Sequence, residues 1–201
     1  MERIIELAEQ INDKELRKKT IALFKDPSLS NPEMLYTKER FEKCPAWIGA
    51  HHNYEGGLID HTVSVTKISL SLAKVIEEEY KVKINKDHII AGALLHDIMK
   101  VCILKKSGKE WTFTGSVLDH ALFSAAELYA KGFPEEVVHI VGSHGGDVGA
   151  AGANPRTIEA IIVFYADLLD SIIESQIHAA AQPDLKDMIH IFLKPKEGKN
   201  E

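Results

Sequence analysis

Apolar positions recur along most of the chain at steps of three and four, the period of helices that bury one side. Ile4, Leu7, Ala8 and Ile11, followed later by Leu23, predict one amphipathic helix from Glu2 to about Lys25, ended by Asp26-Pro27-Ser28. Asn31-Pro32, a capping residue before a proline suited to a first helical turn, opens a second predicted helix that runs to about Cys44, where Pro45 stops it. Residues 46–57, AWIGAHHNYEGG, read as a loop into the longest helix, Leu58 to about Tyr80, with His61, Val65, Ile68, Leu72, Val75 and Ile76 along one face. Asn85 caps a further helix through IIAGALLHDIMK. Over Val101–Thr114 the pattern changes to two short runs around Ser107-Gly108, which predicts a small β-hairpin. Helical spacing returns from about Val117 to Lys131, stopped by Gly132, then from Pro134 to near His144, and, after the glycine-rich GGDVGAAGANP, from Pro155 to about His178. A short helix over 183–193 and a disordered tail, KPKEGKNE, are expected to follow.

This pattern predicts an all-α helical bundle with one small hairpin. N-terminal helices over 1–44 would pack on a core domain of 45–180, and 181–201 would form a partly disordered C-terminal extension. The 201 residues, 45% hydrophobic and 27% charged, suit one ordinary globular domain and exclude a disordered or fibrous chain. No apolar run reaches the ~18 residues that a membrane-spanning helix needs. The opening MERIIELAEQ lacks the basic, apolar and small-residue order of a signal peptide, so a cytoplasmic location is expected, with no membrane partner. Lys and Arg number 24 against 30 Asp and Glu, a net charge of -6, which argues against gripping long nucleic acid through its phosphates. Cys44 and Cys102 match no metal spacing and read as buried, reduced thiols.

The charge pattern matters more inside the helices. Ten histidines are present, and His61, His96, His120 and His144 fall within or at the ends of apolar helical segments. One such histidine is ordinarily a satisfied core residue. The set reads differently because Asp97 and Asp167 also interrupt apolar runs, and a buried carboxylate is costly unless it is paired or bound to metal. The intervals are 35 residues from His61 to His96, 23 from Asp97 to His120, 24 from His120 to His144 and 23 from His144 to Asp167. Each leaves room for a helix and its connection, so several helices could deliver ligands to one interior point. Four imidazoles and two carboxylates suffice for two divalent ions with open positions. The mixed nitrogen and oxygen donors suit Mn, Fe, Co, Ni or Zn better than an all-oxygen cage for Mg or Ca.

His61, then LLHD ending in His96-Asp97, then Asp167 resembles the HD-domain superfamily of metal-dependent phosphohydrolases, and His120 and His144 resemble its six-ligand, two-metal branch. HHNYEGGLIDH (51–61), LLHDIMK (94–100) and SHGG (143–146) are closer still to the HD domain of 3'-to-5' exoribonucleases, in which an OB-fold precedes that domain. The first 44 residues read as helix rather than OB-fold. The resemblance therefore implies hydrolysis of a phosphate ester in a nucleotide or short oligonucleotide, not long RNA, through a metal-bridging hydroxide. It implies metal ligation by His61, His96, Asp97, His120, His144 and Asp167, with Asp97 shared between the ions. His61, His96 and Asp167 would complete the first site, and His120 and His144 the second. Gly145, where some relatives carry a further histidine, argues against a third ion. The same ligand pattern also resembles di-iron oxygenases of the HD type, and a non-catalytic nucleotide-binding module is a further alternative.

Other residues have two readings each. Lys100, nearly one turn after Asp97, could meet a phosphate oxygen as a point charge, or be a solvated lysine at a helix end. His51 and His52, with Asn53 and Tyr54, could line the pocket and bind substrate, or simply pack the loop and cap the helix. Asp170 could orient a ligand histidine or face water, and Arg156 could clamp a phosphate or sit on the surface. His88, His139, His178 and His190 fit no ligand spacing and read as structural or exposed.

Overall fold

The computed structural model describes residues 1–34, 36, 38–145 and 153–180. The fold is helical with one antiparallel hairpin. The helices are α1 (Glu2–Ala8), α2 (Lys14–Lys25), α3 (Gly57–Tyr80), α4 (Lys86–Leu95), α5 (Lys100–Ile103), α6 (His120–Ala130), α7 (Glu135–Ser143) and α8 (Ile158–Ala180). A 3-10 turn spans Phe41–Lys43, and strands β1 (Leu104–Ser107) and β2 (Glu110–Phe113) pair with Leu104 opposite Phe113 and Ser107 opposite Glu110. The hairpin turns at Gly108, whose φ of 63° is cheap only for glycine.

α3 is the axis of the molecule: α4 and α8 pack on it, and α7 packs on α4, α6 and α8. Ile4, Leu7 and Leu16 from the first two helices join Leu58, Leu94 and Phe123 in one core, and Val65, Ile89, Ile140 and Val163 form a second. The outward side of α8 leaves Ile158, Ile161, Tyr165, Leu168 and Ile172 exposed.

Two expected helices differ. Glu2–Lys25 is not one helix. Asp13 accepts from the amides of Glu15 and Leu16 and so starts α2 afresh, while Asp87 binds the amides of Asn12 and Asp13. The apolar period runs on because Ile11, in the break, is fully buried. The described residues of 31–44 are not helical beyond their 3-10 turn. Asn31 caps a single turn through the Glu33 amide, and farther on the Glu39 amide donates to the Val101 carbonyl at 2.8 Å and Arg40 is extended. Phe41 packs edge-on against Phe24, ring centres 5.0 Å apart, and this tertiary contact overrides local helical preference.

Smaller differences follow from capping. α4 ends at Leu95, and the bonds from the amides of Ile98, Lys100 and Cys102 to carbonyls three residues back make a tight turn before α5. Asp119 caps α6 and so moves its start from Val117 to His120, while Gly132, at φ 68°, ends that stretch as expected. The helix over 183–193, the tail and most of the glycine-rich segment lie outside the described residues. Cys44 and Cys102 are buried and free, and burial pushes their thiols up to about 12 and about 11. Among the described residues, no helix is long and apolar enough to cross a membrane.

One contact positions the loop that carries His51 and His52. A Cβ on Gly57 would lie 2.0 Å from the His52 carbonyl oxygen. Gly57→Ala must push this loop off the first turn of α3, and it is expected to destabilise the fold by about 2–3 kcal/mol, read as a lowered Tm.

Candidate metal centre

Three histidines have their tautomers set by what their Nδ1 atoms touch. His61, in the second turn of α3, donates from Nδ1 to Asp170 Oδ2 at 2.7 Å. His96, immediately after α4, donates to the Ala93 carbonyl at 2.7 Å, and His144, immediately after α7, to the Val141 carbonyl at 2.6 Å. Carbonyls and carboxylates only accept, so the proton sits on Nδ1 and each neutral ring presents a bare Nε2. Those three atoms and Nε2 of His120 converge in pairs: Nε2 of His61 and His96 are 3.2 Å apart, as are Nε2 of His120 and His144. Facing lone pairs at that distance repel unless a proton or a cation lies between them.

Asp97 stands between the pairs with one oxygen toward each. Oδ2 lies 3.5 Å from His61 Nε2 and 3.2 Å from His96 Nε2. Oδ1 lies 3.4 Å from His120 Nε2 and 3.6 Å from His144 Nε2. Asp167 reaches in from α8, its Oδ1 3.0 Å from His61 Nε2 and 3.9 Å from His96 Nε2. Among the described residues neither buried Asp97 oxygen has a well-directed hydrogen-bond partner, although the Lys100 ammonium lies 2.6 Å from Oδ2. His61, His96 and Asp97 form one group whose ligand atoms all lie within 4.8 Å of one another, and Asp97, His120 and His144 form another. Donors around a single transition ion stand roughly 3–4 Å apart, so these residues fit a metal in each group.

The electrostatics agree. Burial opposes charge on Asp97, but Lys100 and then His96 hold its carboxyl well below the usual range. Asp167 is likewise held low against burial, chiefly by His61. Burial also opposes a proton on His61, yet Asp167 and Asp170 lift it to about 9. Carboxylates that favour a proton on this ring also favour a metal cation in its place. His144 is raised against burial by Asp97, whereas burial lowers His120, whose Nδ1 lies 3.2 Å from Asp119 Oδ2.

A cavity of about 220 Å³ opens over this cluster, lined by Trp47, His51, Asp97, Lys100, His120, His144, Gly145, Asp167 and Ser171. A family model for the HD domain matches residues 58–172, more than half of the chain, a span within which the six candidate ligands fall. The chain belongs to the HD domain family.

This HD protein is 50% identical over 190 residues to the dihydroneopterin 2',3'-cyclic phosphate phosphodiesterase of Methanocaldococcus jannaschii, a match that covers 94% of this chain and 76% of that one. It is 33% identical over 144 residues to the 3'-5' exoribonuclease YhaM of a Geobacillus species, covering 67% of this chain and 43% of the relative. With YhaM of Bacillus subtilis it shares 31% over 160 residues, covering 73% and 49%. It thus spans less than half of either exoribonuclease. No solved structure matches it. These relatives are a phosphodiesterase and exoribonucleases, not oxygenases, and the chain is an HD-domain phosphohydrolase with histidine and aspartate groups able to hold metal.

The structure sorts the residues that had two readings. Lys100 is only 3% exposed and lines the cavity, so it is not a solvated lysine. His51 lines it too. Among the described residues its Nε2 has no hydrogen-bond partner, and burial, with the positive charges of His61 and Lys100, depresses its pKa to about 4, so it is neutral near pH 7. His52, expected beside it as a substrate-binding residue, does not line the cavity. Its Nε2 is 2.9 Å from Asp170 Oδ2 and its Nδ1 3.0 Å from the Tyr54 hydroxyl, so both nitrogens are engaged behind the site. Asp170 faces inward and joins His52 to His61. Arg156 is exposed and lines a separate surface cavity with His139. His190 lies outside the described residues. Sequence reasoning passed over Trp47. A large aromatic held in a glycine-bearing loop beside two histidines was the available signal.

Proposed function

We propose that this chain is a two-metal phosphodiesterase that opens the cyclic phosphate of a small nucleotide-like molecule, as the name of its Methanocaldococcus relative states for dihydroneopterin 2',3'-cyclic phosphate. The observation that carries this reading is the division of Asp97 between two histidine pairs, one oxygen to each. His61, His96, Asp97 and Asp167 would hold the first ion and Asp97, His120 and His144 the second, each a divalent ion of Mn, Fe, Co, Ni or Zn type. Such ions, when bound, lower the pKa of coordinated water toward ~7 and polarise phosphoryl oxygens.

The chain's own groups supply the rest. Lys100 places an ammonium at the cavity wall, where it meets charge that develops on the phosphoryl oxygens. His51 offers a neutral ring nitrogen to a substrate hydroxyl or a water. Asp170 holds His61 in the tautomer that leaves Nε2 free. In the balanced reaction, water adds to phosphorus, one of the two ring P–O bonds breaks, and its oxygen takes up a proton, leaving a monoester.

The test is a substrate panel on metal-loaded protein: dihydroneopterin and nucleoside 2',3'-cyclic phosphates, a mononucleotide, a dinucleotide and a long RNA. Turnover of the cyclic phosphates to monoesters, with long RNA slower, is expected. Fully loaded protein that hydrolyses none of them refutes the reading. A second measurement concerns Asp170. Asp170→Ala should weaken metal binding about 10- to 100-fold in chelator competition, because His61 loses the carboxylate that orients it.

A further inference from the structure

We propose that Trp47 and Phe113 form an aromatic wall that holds a planar heterocycle of the substrate by its face, an inference that rests on the phosphodiesterase reading. Trp47 comes from the loop before α3 and Phe113 from the end of β2, so two distant segments build the wall. Their ring centres are 5.6 Å apart at 59°. At its inner end the indole touches the reacting centre: its centre is 5.5 Å from that of His120, and the Lys100 ammonium lies 5.1 Å from it. At the outer end Phe113 is 49% exposed.

The cavity therefore gathers Asp97, Lys100 and His120 at its floor and has the Trp47 indole on its wall, and Phe113 extends that aromatic surface outward beyond the cavity lining. A phosphoryl group at Lys100 sits next to the indole, and whatever the ester carries continues along it toward Phe113. Aromatic faces left partly exposed at a cavity wall gain most from a flat ring, which covers them in one contact with little loss of freedom. A polyol chain has no such face to offer. Stacking reads the flatness of a ring, so pterin and purine share the chemistry that this wall recognises.

The experiment compares kcat/KM for guanosine 2',3'-cyclic phosphate with that for glycerol 1,2-cyclic phosphate, which has the same reacting ring without a heterocycle. Trp47→Leu should lower the ratio of the two by about 10-fold or more, mainly through KM of the guanosine ester. Phe113→Ala should lower it by a smaller factor, and Trp47→Phe should restore most of it. Metal content is measured for each variant, because Trp47 also touches His120. A ratio unchanged in both truncated variants overturns the wall. The phosphate-free arm uses zinc-loaded protein in a Trp111→Phe background, with Trp47 fluorescence followed as guanosine is added. Quenching there, with neither these esters nor dihydroneopterin 2',3'-cyclic phosphate hydrolysed, supports the wall and refutes the phosphodiesterase reading. Hydrolysis of both esters without quenching or selectivity leaves that reading and overturns the wall.

Discussion

Asp97→Ala is expected to empty both metal sites and to leave activity below about a thousandth of wild type. The reason is the split of one carboxylate: Oδ2 faces His61 and His96, and Oδ1 faces His120 and His144. Asp167 also stands within 4.8 Å of one ring of each pair, but among the described side chains only Asp97 lies within 4.0 Å of all four rings. The same change strands Lys100, 3% exposed and 2.6 Å from Asp97, as a buried ammonium without its anion. Loss of one partner of a buried pair costs about 3–5 kcal/mol, so a lowered Tm should accompany the loss of metal. Circular dichroism should keep its helical signature, because the apolar faces that join α3, α4 and α8 are untouched. His120→Ala is the contrasting variant: His61, His96 and Asp167 stay in place, so one ion should be retained and one lost. Metal content per chain decides. An Asp97→Ala protein that keeps both ions refutes the bridging role, and a His120→Ala protein with full occupancy and activity returns His120 to a packing role.

Lys100→Gln should lower kcat by about 10²- to 10³-fold while both metals remain bound. The ammonium is the positive side chain at the cavity wall, and it is held there between Asp97 and the Trp47 ring. The effect on metal affinity should run the other way. Lys100 repels a cation that approaches Asp97, so the neutral side chain should bind metal as tightly or more tightly. The effect on stability should depend on metal. Without ions, Asp97 loses the charge that holds its carboxyl low and becomes a buried, poorly paired anion, so Tm should fall. With ions bound, the metals supply that charge and Tm should change little. An unchanged kcat would limit Lys100 to neutralising Asp97. Loss of metal in Lys100→Gln would make it a structural support.

The helices that carry the site are legible in the chain's periodicity. The three-and-four spacing marked α3 and α8 nearly to their ends, Asn85 and Gly132 marked a start and a stop, and Ser107-Gly108 marked the hairpin turn. The sequence also singled out the six candidate ligands, because histidines and carboxylates inside apolar helices are costly unless something compensates them. Packing between distant segments sets the rest. It broke the first predicted helix at Asp13 and drew 31–44 out of helix, where bonds to Asp87 and Val101 and the packing of Phe41 on Phe24 outweigh local preference. It also chose the pairs: His61 meets His96 across 35 residues, and His120 meets His144 across 24. It turned His52 back onto Asp170 and brought Trp47 beside Lys100. Periodicity records which side of a helix is buried, because burial repeats along one chain segment. It carries no record of which buried side meets which, because those contacts depend on helix rotation and crossing and exist only once the segments have packed.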